Sequence, residues 1–284
     1  MRKFEEMKQI IGNMEATNYA VPDGIGLDGL IADMLHFMGT TDSDLREGIY
    51  STFMMWCEET HALSPGQMRH VLNTVMDEEH LFYGIGESGT DSVFMRAFSS
   101  LVVCVAIYGT EDDHYLTEAE RNNVKDVALR YIAQEKDYRG YVKGKGWAHA
   151  IAHAADMLNH VVWIVGREGV LQVLDAIAEM VSNRHIVFDA QEDERLADAA
   201  HGAIYSAACE RDILTIDEIC DWLNKLGKKV ERVEMPEDYN VNVNRRNFMK
   251  SLYFNIWFDD DFKEHEEIRK QIFDTLLGIL NKEN

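Results

Sequence analysis

Apolar residues recur along the chain at intervals of three and four, the period of an amphipathic α-helix, and alternating strand-like stretches are scarce. The best extended candidate, residues 230–235, leads into Pro236. No linker rich in Gly, Ser or Pro interrupts the pattern, so we expect one all-α domain over residues 1–284. The N-cap pairs that mark helix starts are Ser64 with Gln67, Thr117 with Glu120 and Thr215 with Glu218. The predicted helices span residues 2–15, 25–38, 43–60, 65–79, 91–109, 118–134, 147–165, 167–183, 193–209, 216–227, 243–258 and 263–281.

The predicted helix at 147–165 carries a polar stripe. His149, His153, Asp156 and His160 follow one another at spacings of four, three and four residues, so at about 100° per residue they share one helix face. Surface helices usually carry Lys and Glu there, and the imidazoles therefore indicate a polar interior or a pocket. The face predicted to pack in the core holds Trp147, Ile151, Leu158, Val162 and Val165.

A second stripe repeats the same spacing. It begins 45 residues after His149 and consists of Glu194, Asp198, His201 and Tyr205. Similar intervals connect the stripes with three arginines, Arg46, Arg96 and Arg246. From Arg46 to Arg96, to His149, to Glu194 and to Arg246, the successive offsets are 50, 53, 45 and 52 residues. Helix-hairpin repeats of roughly 40–47 residues are typical of HEAT and armadillo arrays. The irregular offsets predict a degenerate α-α superhelix of such pairs.

In a superhelix of this kind, alternate helices line the concave face. We therefore expect both stripes and the three arginines to meet on one polar concave surface. Arg46, Arg96 and Arg246 are expected to pair with inner carboxylates or, as the alternative, to bind an anionic ligand.

Composition excludes several classes of partner. The chain has 28 basic and 50 acidic residues, a net charge of −22, which repels nucleic acids and anionic membranes. The longest apolar run, 101–108, is shorter than the roughly 20 residues that span a bilayer. The N-terminus has no signal-peptide apolar segment, and the four cysteines form no CxxC pair. We expect a cytoplasmic protein that binds neither nucleic acid nor membrane. The sequence indicates no particular oligomeric state.

Three functional hypotheses follow from the stripes. The leading one is a binding protein whose concave face holds a small polar ligand or a peptide. The sequence-predicted contacts are Arg96, His149, His153, Asp156, His160, Glu194, Asp198, His201 and Tyr205.

The rival hypothesis is a metal-assisted hydrolase. His149 and His153 can ligate one divalent ion such as zinc, and Asp156 can add a carboxylate. Ala150 stands where the HExxH motif has Glu, so the base would be Asp156, Glu194 or Asp198. The same carboxylates also allow the acid and base of a glycosidase. Enzymatic activity is therefore an open question at this point.

The third hypothesis is a purely structural network. A buried polar group without a partner costs about 1–3 kcal/mol, so an interior stripe must be satisfied. The carboxylates and tyrosine of the second stripe can supply the partners that the histidines need.

Recurring blocks of residues cover about 40–255, and the most specific block is 146–156, Gly-Trp-Ala-His-Ala-Ile-Ala-His-Ala-Ala-Asp. These blocks resemble a bacterial family known as domain of unknown function 2785. Ala97 departs from the pattern, since we expect Ser after Arg96. The resemblance implies a single superhelical domain in a cytoplasmic bacterial protein, and it implies no activity, cofactor or catalytic residue. The other blocks lie at 44–46, 49–50, 56, 96–99, 192–197, 247–248 and 252–253.

Overall fold

The computed structural model describes residues 1–107, 115–231 and 233–282, and these residues form an all-α fold with one small hairpin. The strands β1 (Tyr141–Val142) and β2 (Gly146–Trp147) pair antiparallel. The helices are α1 (Phe4–Gly12), α2 (Leu27–Phe37), α3 (Ser43–Met54), α4 (Pro65–Val75), α5 (Ser92–Ile107), α6 (Glu118–Gln134), α7 (Ala150–Ile164), α8 (Arg167–Val181), α9 (Glu192–Ile204), α10 (Ile216–Leu226), α11 (Glu237–Phe258) and α12 (Glu266–Lys282). The predicted all-α class is confirmed.

The predicted helix starts at Ser64, Thr117 and Thr215 are confirmed as complete capping boxes. The predicted helices 43–60 and 193–209 each close in a π-helical turn, Met55–Glu59 and Tyr205–Glu210. The predicted end of the helix 91–109 lies outside the described residues, because residue 107 is the last one described before residue 115. Most other boundaries differ by a few residues, as helix ends commonly do.

The start of α11 differs from the prediction. The helix begins at Glu237 instead of residue 243, and residues 230–235 form no described strand. Polar residues in the first turns of α11 interrupt the apolar period that predicts a helix. Several of them are buried and hydrogen-bonded. Asp238 accepts the N–H groups of Val233 and Glu234 at 2.9 and 2.7 Å, and Asn244 accepts the N–H of Phe188 at 3.0 Å.

The chain divides into two compact units, Met1–Met157 and Leu158–Asn284. In the first unit α1 packs against α3, α3 against α5, and α4 against α5. In the second, α9 packs against α8 and α11, and α10 against α12. Each unit therefore contains contacts between helices two apart in the sequence as well as between consecutive ones. Trp56 lies in the core of the first unit, where its indole N–H donates to the Tyr19 carbonyl at 2.7 Å, and Phe248 lies in the core of the second.

Both units contain the same arginine contact. In the first, Arg69 pairs with Glu120 at 2.6 Å and also donates to the Tyr115 carbonyl. In the second, Arg167 pairs with Glu218 and donates to the Ile213 carbonyl at 2.7 Å. Each arginine precedes the N-cap threonine of the contacted helix by 48 residues. The arginine holds the pKa of each glutamate at about 2, with help from the N-cap threonine.

Candidate functional site

The hairpin before α7 presents aromatic side chains to solvent. Tyr141 pairs with Trp147 across the strands, and their rings lie 5.2 Å apart, edge to face. The turn contains Gly144 at a φ of +80°, which L side chains rarely adopt. Tyr141 is 62% exposed and Trp147 is 45% exposed. The prediction that Trp147 packs in the core is therefore wrong, because Trp147 belongs to the hairpin and not to the helix.

His149 joins the hairpin to α7 through an uncommon backbone conformation. Its φ of +51° lies in the left-handed region, which residues other than glycine populate sparsely. Its N–H donates to the Arg139 carbonyl at 3.1 Å, and its carbonyl accepts the N–H of His153 at 2.9 Å. The imidazole stacks on the Trp147 indole, with ring centroids 4.2 Å apart. Strain of this kind costs of order 1–3 kcal/mol and clusters at functional sites.

After His149, the stripe continues on α7 with His153 and Asp156. The His153 ring lies 5.7 Å from that of His149 and meets Phe98 edge-on at 5.6 Å. His149, His153 and Asp156 are half-buried, whereas the residues between them on α7 are buried. Burial raises the pKa of the Cys104 thiol well above its ordinary value, and the Asp156 carboxylate adds to that rise. The first unit thus has a half-buried polar face that begins at an exposed tryptophan.

Arg46 lies fully buried beneath the hairpin. Its guanidinium carbon sits 4.3 Å from the Phe94 ring centre and 4.7 Å from that of Phe98. It donates to the carbonyls of Thr40 and Lys145, each at 2.7 Å, and burial lowers its pKa to about 10. We predicted a carboxylate or an anionic ligand as its partner, and the observed partners are backbone carbonyls and aromatic rings.

Gly146 makes this approach of Arg46 possible. A Cβ at Gly146 would lie 3.0 Å from Arg46 Nη2, and its φ is +83°. The Arg46 Nη2 group also contacts the Trp147 carbonyl at 3.4 Å. Arg46 therefore fixes the backbone on both sides of Gly146, next to the exposed Trp147.

Arg96 is a second fully buried arginine, and it forms the predicted salt bridge. Its Nε donates to Glu135 Oε2 at 2.7 Å, and the Glu135 side chain is also fully buried. Further bonds reach the carbonyls of Tyr83, Gly84 and Glu87 at 3.0 to 3.2 Å. All of its donors are used in these contacts and one to Ser92, so Arg96 has none left for the ligand role we predicted.

The predicted zinc site gains no support. Within 1–107, 115–231 and 233–282, no three His, Cys, Asp or Glu side chains are placed so that they could share a metal ion. His149 precedes the helix and stacks on Trp147 instead of extending the stripe by one turn, and its ring is perpendicular to that of His153. The described residues thus add no support to the metal-assisted hydrolase that was predicted from His149, His153 and Asp156.

The second stripe lies in the second unit. Glu194 is exposed, and Asp198 accepts an amide hydrogen of Asn255 at 2.7 Å. His201 Nε2 lies 2.7 Å from Asp259 Oδ2; burial lowers the pKa of His201, and Asp259 opposes that shift. The ring of Tyr205 packs 5.1 Å from that of Phe262, and burial raises its pKa to about 12. These contacts favour a structural role for the stripe inside its unit.

The two units divide the sequence-predicted residues between them. His149, His153 and Asp156 belong to the first unit, whereas His160 and the whole second stripe belong to the second. Arg246 is half-buried on α11. The expected meeting of both stripes and the arginines on one concave surface stays a prediction.

Sequence reasoning missed the exposed Tyr141 and the contact of Arg46 with the hairpin. The available signal was two short stretches, Tyr141–Val142 and Gly146–Trp147, separated by a turn that contains Gly144. Glycine between short β-prone stretches indicates a hairpin. Our predicted helix began at residue 147 instead, because the helical period continues through Trp147.

Comparison with protein families gives one finding. A family model described as "Protein of unknown function (DUF2785)" matches residues 81–254, which cover the hairpin and both stripes. Searches of curated proteins and of solved structures gave no match. Among the described residues, no helix combines the length and apolar character needed to cross a membrane.

Proposed function

We propose that this chain, which belongs to the DUF2785 family, is a binding protein for a small polar molecule or a peptide. The proposed site is the surface formed by Tyr141, Trp147, His149, His153 and Asp156, which we call the Trp147 face. One observation carries the proposal. An exposed tryptophan stacks on a histidine whose backbone is held in the left-handed conformation.

The chemistry of the Trp147 face suits such a ligand. Exposed Tyr141 and Trp147 offer flat apolar surfaces with polar edges, which stack on peptide groups, sugar rings and aromatic ligands. The imidazole rings of His149 and His153 carry nitrogens that donate or accept hydrogen bonds, and the Asp156 carboxylate accepts them. A few polar groups beside aromatic side chains are the usual composition of a ligand site.

The site rests on rigid support. Buried Arg46 binds the carbonyls of Lys145 and Trp147, and its guanidinium contacts the rings of Phe94 and Phe98. A binding surface that is already ordered before the ligand arrives loses less conformational entropy on binding. We infer that Arg46 supports the proposed site by ordering the hairpin.

We also infer HEAT-like helix pairs within each unit, as parts of an α-α superhelix. Neighbouring helices two apart in the sequence support this inference, and so do the equivalent contacts of Arg69 and Arg167. The strongly acidic composition supports a protein with no nucleic-acid or membrane partner. The four free cysteines support a cytoplasmic location.

The binding proposal is tested by thermal shift with a panel of amino acids, dipeptides, monosaccharides and nucleoside monophosphates. We expect at least one compound to raise the Tm of the wild type, since a ligand at 100 times its Kd stabilises by about 2.7 kcal/mol. Trp147→Ala should abolish that rise. Tyr83→Ala is the matched control, because Tyr83 is 52% exposed and lies outside the proposed site, and it should keep the full rise.

Two results would contradict the proposal. The first is an equal rise in Tm for Trp147→Ala and the wild type, which would place binding elsewhere. The second is a panel in which no compound raises the Tm of the wild type.

A further inference from the structure

The second unit exposes a continuous set of aromatic rings, none of which belongs to the Trp147 face. We call it the aromatic patch: Tyr253, Phe254, Trp257 and Phe258 on α11, and Phe273 on α12. Tyr253 lies 5.6 Å from Phe254 and 4.9 Å from Phe273, Phe254 stacks on Phe258 at 6.2 Å, and Trp257 lies 5.5 Å from Phe273. Every ring of the patch therefore touches another.

The exposure of these rings is unusual for apolar side chains. Phe254 is 54% exposed, Trp257 is 48% exposed and Phe258 is 74% exposed. Their spacing of three and four residues places them on one side of α11, whereas Leu252 and Ile256 are buried. Single exposed apolar residues are normal, but contiguous clusters mark interaction sites.

Acidic side chains border the patch. Asp259, Asp260 and Asp261 directly follow Phe258 in the sequence. Asp260 and Asp261 are exposed, and Asp260 contacts Lys263, whereas Asp259 is half-buried against His201. Asp198, an exposed residue of α9, accepts the side-chain amide of Asn255, which lies between Phe254 and Phe258 on α11. An apolar surface with this border attracts a segment that is both apolar and basic.

The patch already binds one guanidinium of its own chain. The Arg269 guanidinium carbon lies 5.4 Å from the Trp257 ring centre and 5.1 Å from that of Phe273. The distances are those of cation–π contacts. The aromatic rings of the patch are thus suited to cationic side chains as well as to apolar ones.

We propose that the aromatic patch docks a basic amphipathic helix of a partner protein. The apolar face of that helix would cover Phe254, Trp257 and Phe258, and its Lys and Arg side chains would lie against Asp198, Asp260 and Asp261. A second copy of this chain fits less well, because both copies carry the same acidic border and a net charge of −22. An anionic lipid surface is repelled for the same reason.

The test uses a synthetic helical peptide of Leu and Lys, about four turns long, with Leu at helical spacing. Its Kd for the full chain is measured by calorimetry at low salt. We expect Phe254→Ser/Phe258→Ser to weaken binding by about tenfold or more, as loss of a central aromatic contact typically does. Tyr83→Ser, which changes an exposed ring in the first unit, should leave the Kd unchanged.

A second variant tests the charge. Asp260→Asn/Asp261→Asn keeps all five rings and should weaken binding of the Lys peptide about threefold, with a smaller dependence on salt. The urea midpoint of Phe254→Ser/Phe258→Ser shows whether that variant is less stable than the wild type. If it is, Asp260→Asn/Asp261→Asn still tests the proposal. A matched peptide with Glu in place of Lys should not bind.

Three outcomes would overturn the proposal. One is an unchanged Kd in Phe254→Ser/Phe258→Ser, and another is equal affinity for the Glu peptide. The third is a dimer of the wild type in sedimentation together with a monomer of Phe254→Ser/Phe258→Ser. The occupant of the patch would then be a second copy of the chain.

Discussion

Arg96→Ala is expected to lower the free energy of unfolding by about 3–5 kcal/mol. Arg96 and Glu135 are both fully buried, and their salt bridge is 2.7 Å long. Alanine leaves the Glu135 carboxylate buried without its counter-charge, and it also removes the donor from the carbonyls of Tyr83, Gly84 and Glu87. Urea denaturation followed by circular dichroism measures the loss.

Lys270→Ala is the control for this substitution. Lys270 pairs with Asp274 at 2.7 Å, one helical turn away, and both side chains are exposed. Exposed pairs of this kind contribute little to the free energy of unfolding, because water and salt screen them. If Arg96→Ala destabilised the chain no more than Lys270→Ala does, the buried pair would not be an organising contact of the first unit.

Arg46→Ala is expected to cost about 3 kcal/mol of unfolding free energy and to weaken binding at the Trp147 face. The substitution removes the donor from the carbonyls of Thr40, Lys145 and Trp147, and it removes the cation–π contacts with Phe94 and Phe98. Because two of those carbonyls flank Gly146, the hairpin loses its support. Urea denaturation measures the first effect, and the thermal shift with the best panel compound measures the second.

Arg46→Lys separates charge from geometry. A lysine keeps the positive charge but lacks the planar fork that reaches two carbonyls and stacks on aromatic rings, so we expect an intermediate loss. Arg96→Ala should lower the free energy of unfolding. At equal ligand concentration, however, the ligand should raise its Tm by as much as it raises that of the wild type. If the ligand raised the Tm of Arg46→Ala as much as it raises that of the wild type, the hairpin would need no support from Arg46.

The helices were predictable because their signals are local. Ser64, Thr117 and Thr215 each satisfy orphan backbone donors within three residues, and a single sequence shows such pairs directly. The start of α7 was not predictable from periodicity, because Trp147 and His149 fit the helical spacing although one lies in a strand and the other in a left-handed turn.

The support of the candidate site depends on long-range contacts. Arg46 reaches the carbonyls of Lys145 and Trp147, which lie 99 and 101 residues away in the chain. Nothing in the spacing of one sequence reveals such a pair. The polar positions His149, His153 and Asp156 were visible as a stripe, but the aromatic surface beside them required the hairpin.

Binding at the Trp147 face is tested most directly by NMR of the histidine imidazoles during titration with the panel compound that raises the Tm most. We predict that the imidazole signals of His149 and His153 move together and saturate with the Kd of the thermal shift. His36 and His61, exposed histidines of the same unit, serve as internal references and should stay in place. Stationary signals of His149 and His153 at saturating compound would contradict a binding site on this face.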